Sequence, residues 1–267
     1  MKKIFYSICI LCGLMSASCT NDNDEGQSGT TRLMVDLSTD VSFSDKGSVK
    51  RAIDESAYKD IKNYMVTLTE TATGTPVHTG LYADWALAYE VTPGTQYTLT
   101  ATYGEEAAAS FDQLLVSGSE TFTPQEGATK VVKFMCRPKA AKVNVVYDPD
   151  FHTFYSDCEV SIKTKHMDQP LTLRAENEGQ DLFLQADEEG EDVDLTFTVK
   201  DLQGRPVEVD GMTAQKTVTV KPQTLLRLTF KPDVTEIEGG KFGVNISVNT
   251  DLTEEEVNIV IPNTVFE

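Results

Sequence analysis

Cys19 is the residue whose position in the sequence predicts covalent chemistry. It follows Met1-Lys2-Lys3, an apolar run from Ile4 to Met15, and the small residues Ser16-Ala17-Ser18. A basic start, a short apolar core and small residues before a cleavage site are typical of a bacterial secretory signal. A cysteine directly after them predicts cleavage before Cys19 and lipidation of its thiol. The match is incomplete, because Ser16 stands where such signals commonly have Leu, so an ordinary signal peptide with a chance cysteine remains an alternative.

Two further cysteines, Cys136 and Cys158, stay in the exported chain. An oxidising compartment permits a disulfide between them. Free cysteine is also among the most buried residue types, and we favour two buried thiols on different strands. Cys9 and Cys12 are spaced as C-x-x-C, but they lie within the apolar run of the signal, so redox or metal chemistry is not expected there.

The run Asp187-Glu188-Glu189-Gly190-Glu191-Asp192 offers carboxylate oxygens, which are the ligands that Ca²⁺ prefers. Asp187, Glu189 and Asp192 are the candidates for a weak calcium contact. The run lacks the ligand spacing of a calcium-binding loop, and blocks of like charge usually remain solvated. We therefore favour a solvated hairpin turn and predict neither a cofactor nor a resident metal.

The three histidines, His78, His152 and His166, are not spaced as paired metal ligands. The sequence also lacks a nucleophile elbow, a phosphate loop and a dinucleotide fingerprint. These observations favour a protein that is not an enzyme. Trp85 and Tyr89 could suggest a sugar-binding platform, but the alternation of Leu81 to Val91 predicts a strand that turns both rings into a core.

Short alternating segments with closely spaced turns indicate the elements that carry these residues. Leu33, Val35 and Leu37 alternate in the first segment, and a weak helical pattern spans Ile53–Lys62. The remaining predicted strands are 63–69, 81–91, 96–103, 121–123, 129–136, 141–148, 158–164, 171–174, 182–185, 193–200, 216–220, 225–231, 243–249 and 256–261. This pattern predicts an all-β protein with two tandem Ig-like or transthyretin-like β-sandwich domains.

The predicted organisation has four parts: a lipoprotein signal peptide at 1–18, a flexible acidic tether at 19–30, an N-terminal sandwich at 31–137 and a C-terminal sandwich at 138–267. The two sandwiches begin alike, since Leu33–Asp40 resembles Val143–Asp150 in pattern. A formal net charge of −19 disfavours binding to nucleic acid or to anionic lipid headgroups. Contact with the membrane is therefore expected through the N-terminal lipid alone.

Several segments resemble an uncharacterised family of Bacteroidales surface lipoproteins, known only as a domain of unknown function. The resemblance rests on 94–103 (GTQYTLTATY), 107–112 (AAASFD), 116–123 (VSGSETFT), Cys136, 143–145, 154–157 (FYSD) and 195–204 (LTFTVKDLQG). The chain departs from the family at Gln113-Leu114-Leu115 and at Cys158. The resemblance implies a β-sandwich fold and an outer-membrane, surface-exposed lipoprotein, but it implies no activity.

The layout more loosely resembles the fimbrillins of the same bacteria, which are lipoproteins with two tandem sandwiches. In many of them a protease cuts after an arginine that follows the first strand, and a neighbour's strand then fills the groove. By that resemblance Arg51 is a candidate cleavage site, although from the residues alone we favour an ordinary solvated loop pair at Lys50-Arg51. The expected role is structural or adhesive, with a protein partner bound by strand addition. The alternative is a surface module that binds a glycan or a host ligand.

Overall fold

The computed structural model describes residues 29–43, 55–86, 89–207, 214–237, 241–250 and 253–261. The two α-helices are short, α1 Glu55–Lys59 and α2 Phe151–Phe154, and 3₁₀ turns lie at Ile61–Asn63, Tyr82–Ala86 and Ala175–Asn177. The first strands are β1 Thr31–Thr39, β2 Met65–Glu70, β3 Thr75–Leu81, β4 Tyr89–Val91, β5 Tyr97–Tyr103, β6 Ala109–Ser110, β7 Val116–Phe122 and β8 Lys130–Pro138. The later strands are β9 Ala140–Tyr147, β10 Asp157–Lys163, β11 Leu171–Leu173, β12 Leu182–Gln185, β13 Glu191–Lys200, β14 Ala214–Val220, β15 Leu225–Ile237, β16 Lys241–Thr250 and β17 Thr253–Ile261. The protein is all-β, as the sequence predicts.

The N-terminal module consists of β1 to β5, β7 and β8. Its strands follow the order β3-β2-β5-β7-β8-β1-β4. The β7–β8 ladder contains only two residue pairs, Val116 with Pro138 and Ser117 with Arg137, so the sheet folds over at this corner. Apolar side chains from both halves meet between the layers, including Leu33, Leu37, Tyr64, Val66, Leu68, Leu99 and Val132.

The C-terminal module contains β9 to β17 in two separate sheets. The four-stranded sheet has the order β11-β10-β13-β14, and the six-stranded sheet has the order β17-β16-β15-β9-β12-β6. The inward face of β13 shows how the sequence builds this core, since every second residue from Val193 to Val199 is buried. Alternation of this kind places one face of a strand against the core and leaves the other in solvent.

The two modules repeat one chain order. The order β3-β2-β5-β7 matches β11-β10-β13-β14, and the order β8-β1-β4 matches β15-β9-β12. In each module the first strand pairs in parallel with a late strand, β1 with β8 and β9 with β15. A short helix follows the first strand in both, α1 after β1 and α2 after β9. The similar openings of the two halves therefore correspond to equivalent strands.

Each module also contributes a short segment to the other. Strand β6 lies in the chain between β5 and β7, yet it pairs with β12 of the C-terminal module. Phe183 of β12 belongs in turn to the core of the N-terminal module. Only Lys139 separates β8 from β9. The predicted domain limits at 31–137 and 138–267 stay a prediction, and these exchanges show how closely the two cores adjoin.

One predicted strand is wrong in its first part. Residues 81–91 do not form a continuous strand, because Tyr82–Ala86 forms a 3₁₀ turn and only Tyr89–Val91 is extended. Leu81 is consequently exposed rather than on a core face. Trp85 is buried, as predicted, but the turn rather than strand alternation places it in the core.

No helix within the described residues has the length and apolar character required to cross a membrane.

Candidate functional site

Strand β1 occupies a position from which it supports much of the N-terminal module. It pairs in parallel with β8 from Leu33 to Thr39 and antiparallel with β4 from Thr31 to Leu33. Leu33 and Leu37 point inward and are 1% and 4% exposed. Because both edges of β1 are paired, its loss would leave unpaired backbone on β8 and β4 and two open pockets in the core.

Side chains from elsewhere in the module fasten β1. The Thr31 hydroxyl donates a hydrogen bond to the Gln125 carbonyl at 2.5 Å. The Tyr82 hydroxyl donates to the Val35 carbonyl at 3.1 Å and accepts from the Leu37 amide at 3.4 Å. These bonds fix the register of β1, yet all of them are noncovalent.

The chain that leaves β1 docks on the C-terminal module. The Gln223 side-chain amide donates to the carbonyls of Asp40 and Ser42 at 3.1 and 3.0 Å. Hydrogen bonds from Ser42 hold the pKa of Asp40 below its usual value. Phe43 then packs against Phe183 with their ring centroids 5.7 Å apart. The described part of this segment ends at Phe43, and both Arg51 and Cys19 lie outside the described residues.

Strand β8 pairs with β1, and strand β15 pairs with β9. The opposite edges of β8 and β15 differ between the two modules. In the C-terminal module, β16 pairs along β15 from Arg227 to Asp233. In the N-terminal module, β7 pairs only with the last two residues of β8. Among the described residues, no strand continues that ladder along the Lys130–Phe134 part of β8. Within the described strands, β16 and β17 thus extend one sheet edge, while the equivalent edge of β8 is largely unpaired.

An aromatic cluster lies beside β3. The His78 ring stacks on Tyr89 at a centroid distance of 4.8 Å and contacts Trp85 edge-on at the same distance. Trp85 is 5% exposed, so its ring is not available as a flat platform for a sugar. His78 and Tyr89 are half-buried.

The three carboxylates predicted for calcium have different surroundings. Asp187 pairs with Lys165, whose hydrogen bond holds the pKa of Asp187 below its usual value. Asp192 accepts a hydrogen bond from the Thr219 hydroxyl at 2.7 Å, while Glu189 is exposed on the turn. The calcium contact stays a prediction, and the structure supplies no geometry that joins these three.

A different group of ligating side chains converges beside the turn between β12 and β13. One ligand atom each from His166, Asp187 and Glu191 lies within 4.8 Å of the other two. Sequence inspection missed this group because His166 comes from a separate loop. The acidic run was the only sequence signal, and it did not indicate which histidine would approach it.

The two remaining cysteines lie in separate cores. Cys136 belongs to the N-terminal core and Cys158 to the C-terminal core, and both are free and buried. This confirms the favoured interpretation of two unbridged thiols. Burial raises the pKa of Cys136 to about 12 and raises that of Cys158 well above its usual value.

We expect both thiols to resist alkylation in the folded protein, because the thiolate is the reactive form. Iodoacetamide labelling at Cys136 and Cys158, followed by mass spectrometry, should be at least about 100-fold slower in buffer than in urea. A Ser119→Cys variant, with its thiol on an exposed position of β7, supplies the fast control. Labelling of the native core thiols at the control rate would contradict this assignment.

Residues 29–263 match the family described as a domain of unknown function (DUF4493). The chain belongs to this family. No curated protein sequence matches it. The predicted membership of a family of unknown function is thereby confirmed, and the resemblance to fimbrillins stays a prediction.

Solved structures similar to this chain include three from Bacteroides. A candidate polysaccharide-binding protein from Bacteroides thetaiotaomicron is 13% identical, with 82% of this chain and 96% of that chain covered and a TM-score of 0.44. A candidate adhesin from Bacteroides ovatus is 10% identical, with 85% and 95% covered and a TM-score of 0.43. A candidate cell adhesion protein from Bacteroides eggerthii is 12% identical, with 88% and 98% covered and a TM-score of 0.38.

Proposed function

We propose that this DUF4493 protein is a non-enzymatic, lipid-anchored surface protein with a structural or adhesive role, and that it assembles by strand addition. The observation that supports this role is the position of β1. It pairs with β8 from Leu33 to Thr39 and with β4 from Thr31 to Leu33, it contributes Leu33 and Leu37 to the N-terminal core, and it precedes the candidate cleavage site at Arg51 in the chain.

Cleavage after Arg51 would separate β1 covalently from every other strand of its module. Noncovalent contacts would then be all that retains it, chiefly the ladder to β8 and the packing of Leu33 and Leu37. Its departure would expose backbone donors and acceptors on β8 and β4 beside an apolar groove. A strand from a neighbouring subunit could pair with these backbone groups and fill the groove. In strand addition, backbone hydrogen bonds supply affinity, and pockets for alternate side chains supply specificity.

The C-terminal module provides an internal precedent for strand addition. Strand β16 lies along β15 and pairs antiparallel with β17, so these two strands extend the sheet beyond the strands that the two modules share. The equivalent edge of β8 lacks such a hairpin among the described strands. An edge of this kind adds a second place where a partner's backbone could pair.

The anchor belongs to the same proposal. Lipidation of Cys19 would place the uncleaved precursor on the outer membrane, with the acidic segment after it as a tether, and cleavage after Arg51 would free the subunit from that anchor. Durable anchoring needs more than one acyl chain, and a formal charge of −19 gives the protein body no attraction to anionic lipid. The partner is therefore expected to be another protein, and nucleic acid is not expected.

Treatment of the purified precursor with an arginine-specific protease tests assembly directly. We expect cleavage after Arg51, release of the peptide that contains β1, and a ladder of polymers on gels run without boiling. An Arg51→Ala variant should remain a monomer, whereas Lys50→Ala should behave as the unaltered protein. A stable monomer after verified cleavage at Arg51 would rule out assembly by this route.

The alternative of a glycan-binding module gains little from the aromatic cluster, because Trp85 is buried. A glycan array probed with the full mature chain separates the two roles. Strong binding that is lost in a Tyr89→Ala variant would favour the alternative over the structural role.

A further inference from the structure

Three ligating side chains meet at one end of the four-stranded sheet of the C-terminal module. His166 lies in the turn that follows β10, and Asp187 and Glu191 bracket the turn between β12 and β13. The His166 Nε2 atom is 3.3 Å from Asp187 Oδ1 and 3.3 Å from Glu191 Oε2. The three ligand atoms all lie within 4.8 Å of one another.

One hydrogen bond joins the two loops, and a second closes the acidic turn. The Lys165 amide donates to Glu191 Oε1 at 3.2 Å, which joins the loop of His166 to the first residue of β13. The Gly190 amide donates to the Asp187 carbonyl at 3.0 Å and closes the acidic turn. Gly190 has a φ of 122°, a conformation that suits glycine and lets this turn place both carboxylates on the same side.

The burial of Glu191 points to a cation. Its side chain is 1% exposed, and its buried Oε2 atom lies 3.3 Å from His166 Nε2 and 3.0 Å from the Lys165 ammonium without a hydrogen bond of good geometry to either. His166 Nε2 is likewise a buried atom without a hydrogen bond. A carboxylate removed from water needs a positive charge or donors to offset the desolvation cost, and here the ammonium of the largely exposed Lys165 side chain lies where a metal cation could supply that charge.

Two of the three distances between the ligand atoms suit zinc. In a tetrahedral site with bonds of about 2.0–2.1 Å, neighbouring ligand atoms are about 3.3–3.4 Å apart. Both distances from His166 Nε2 match that value. Imidazole nitrogen and carboxylate oxygen are both ligands that Zn²⁺ accepts, whereas Ca²⁺ requires six to eight oxygen ligands at longer distances.

Lys165 introduces a competitor for the same oxygens. Its ammonium pairs with Asp187 and lies 3.0 Å from Glu191 Oε2. The Lys165 side chain is 57% exposed, so it can turn into solvent without disturbing the core. A metal ion and this ammonium cannot occupy the position between the two carboxylates together, since both carry positive charge.

We propose that His166, Asp187 and Glu191 form a binding site for a zinc-class divalent cation, and that the ammonium of Lys165 competes with the metal for it. Three protein ligands leave one position of a tetrahedral ion for water or for a group from outside the chain. Asp187 and His166 are partly exposed, which gives the metal a path from solvent.

Isothermal titration of the full mature chain with Zn²⁺ tests the proposal. We expect one equivalent to bind, and we expect His166→Gln and Glu191→Gln each to weaken binding at least about tenfold. Glu189→Gln, a change on the same turn outside the group, is the matched control and should leave the affinity unchanged. Lys165→Met removes the competing ammonium and should tighten binding.

Circular dichroism shows whether each variant folds. Because His166 is partly exposed, His166→Gln tests the site without altering the buried Glu191. Co²⁺ gives a second readout, because its visible absorption is intense in tetrahedral sites and weak in octahedral ones. Failure of the mature chain to bind Zn²⁺, or equal binding in His166→Gln, would overturn the site. An unchanged affinity in Lys165→Met would overturn the competition. The titration uses the uncut monomer, so its outcome does not depend on assembly.

Discussion

Replacing Lys142 with methionine is expected to lower the free energy of unfolding by about 3–5 kcal/mol. Lys142 Nζ lies 3.2 Å from Asp181 Oδ2, and the two side chains are only 4% and 2% exposed. Nζ also lies 4.7 Å from the centre of the Phe43 ring. The large effect arises because the variant leaves the Asp181 carboxylate buried without its ammonium, rather than because the ion pair itself is strongly stabilising.

The variant Lys142→Met/Asp181→Leu separates these two causes. Replacing both members of a buried ion pair by apolar residues is often close to neutral, so the double variant should recover most of the lost stability in urea titrations followed by circular dichroism. Lys133→Met is the surface control. The Lys133–Asp36 pair is 75% and 53% exposed, and its loss should cost less than about 1 kcal/mol. A double variant as unstable as the single one would mean that packing, not charge, sets the cost.

Replacing Gly104 with alanine is expected to destabilise the N-terminal module by about 3 kcal/mol or more. Gly104 has a φ of +87°, and an added Cβ would lie 2.0 Å from the Leu114 carbonyl oxygen and 3.1 Å from the Tyr58 ring. A backbone atom cannot move aside as the end of a flexible side chain can, so the β5–β7 connection must shift.

Gly94→Ala is the matched control for this effect. Gly94 also has a positive φ, +77°, but nothing lies within 4 Å of an added Cβ. Its cost should be limited to the conformational term of about 1–2 kcal/mol. Trp85 is the single tryptophan and lies in the N-terminal core, so its fluorescence reports the unfolding of this module. Equal shifts of the urea midpoint in the two variants would contradict a steric origin.

Alternation predicted most strands of this protein because one face of each strand packs on a core. Strand β13 illustrates this, since its inward Val193, Leu195, Phe197 and Val199 are all buried. Strand β3 escaped prediction for the opposite reason. It lies at a sheet edge, most of its residues are exposed, and it includes Pro76, which is tolerated at edges. Alternation also failed after Leu81, because Ala83 and Trp85, at even spacing from it, belong to a 3₁₀ turn.

The candidate sites were harder to predict because they depend on contacts between distant segments. Nothing in the local sequence of β1 indicates that its partner is β8, since the parallel pairing joins residues almost a hundred positions apart. His166, likewise, approaches Glu191 only because β10 and β13 are neighbours in one sheet. Cys19 and Arg51 rest on sequence alone, because they lie outside the described residues.

The parallel pairing of β1 with β8 has a mechanical consequence. The start of β1 at Thr31 and the end of β8 at Pro138 lie at opposite ends of the shared ladder. Tension between these points loads the evenly spaced hydrogen bonds together in shear, whereas tension across the open end of a hairpin breaks its bonds one after another. The pairing of β9 with β15 repeats the arrangement, and Lys139 joins the two in series. Force carried along the chain is therefore resisted first by the β1–β8 ladder and then by the β9–β15 ladder.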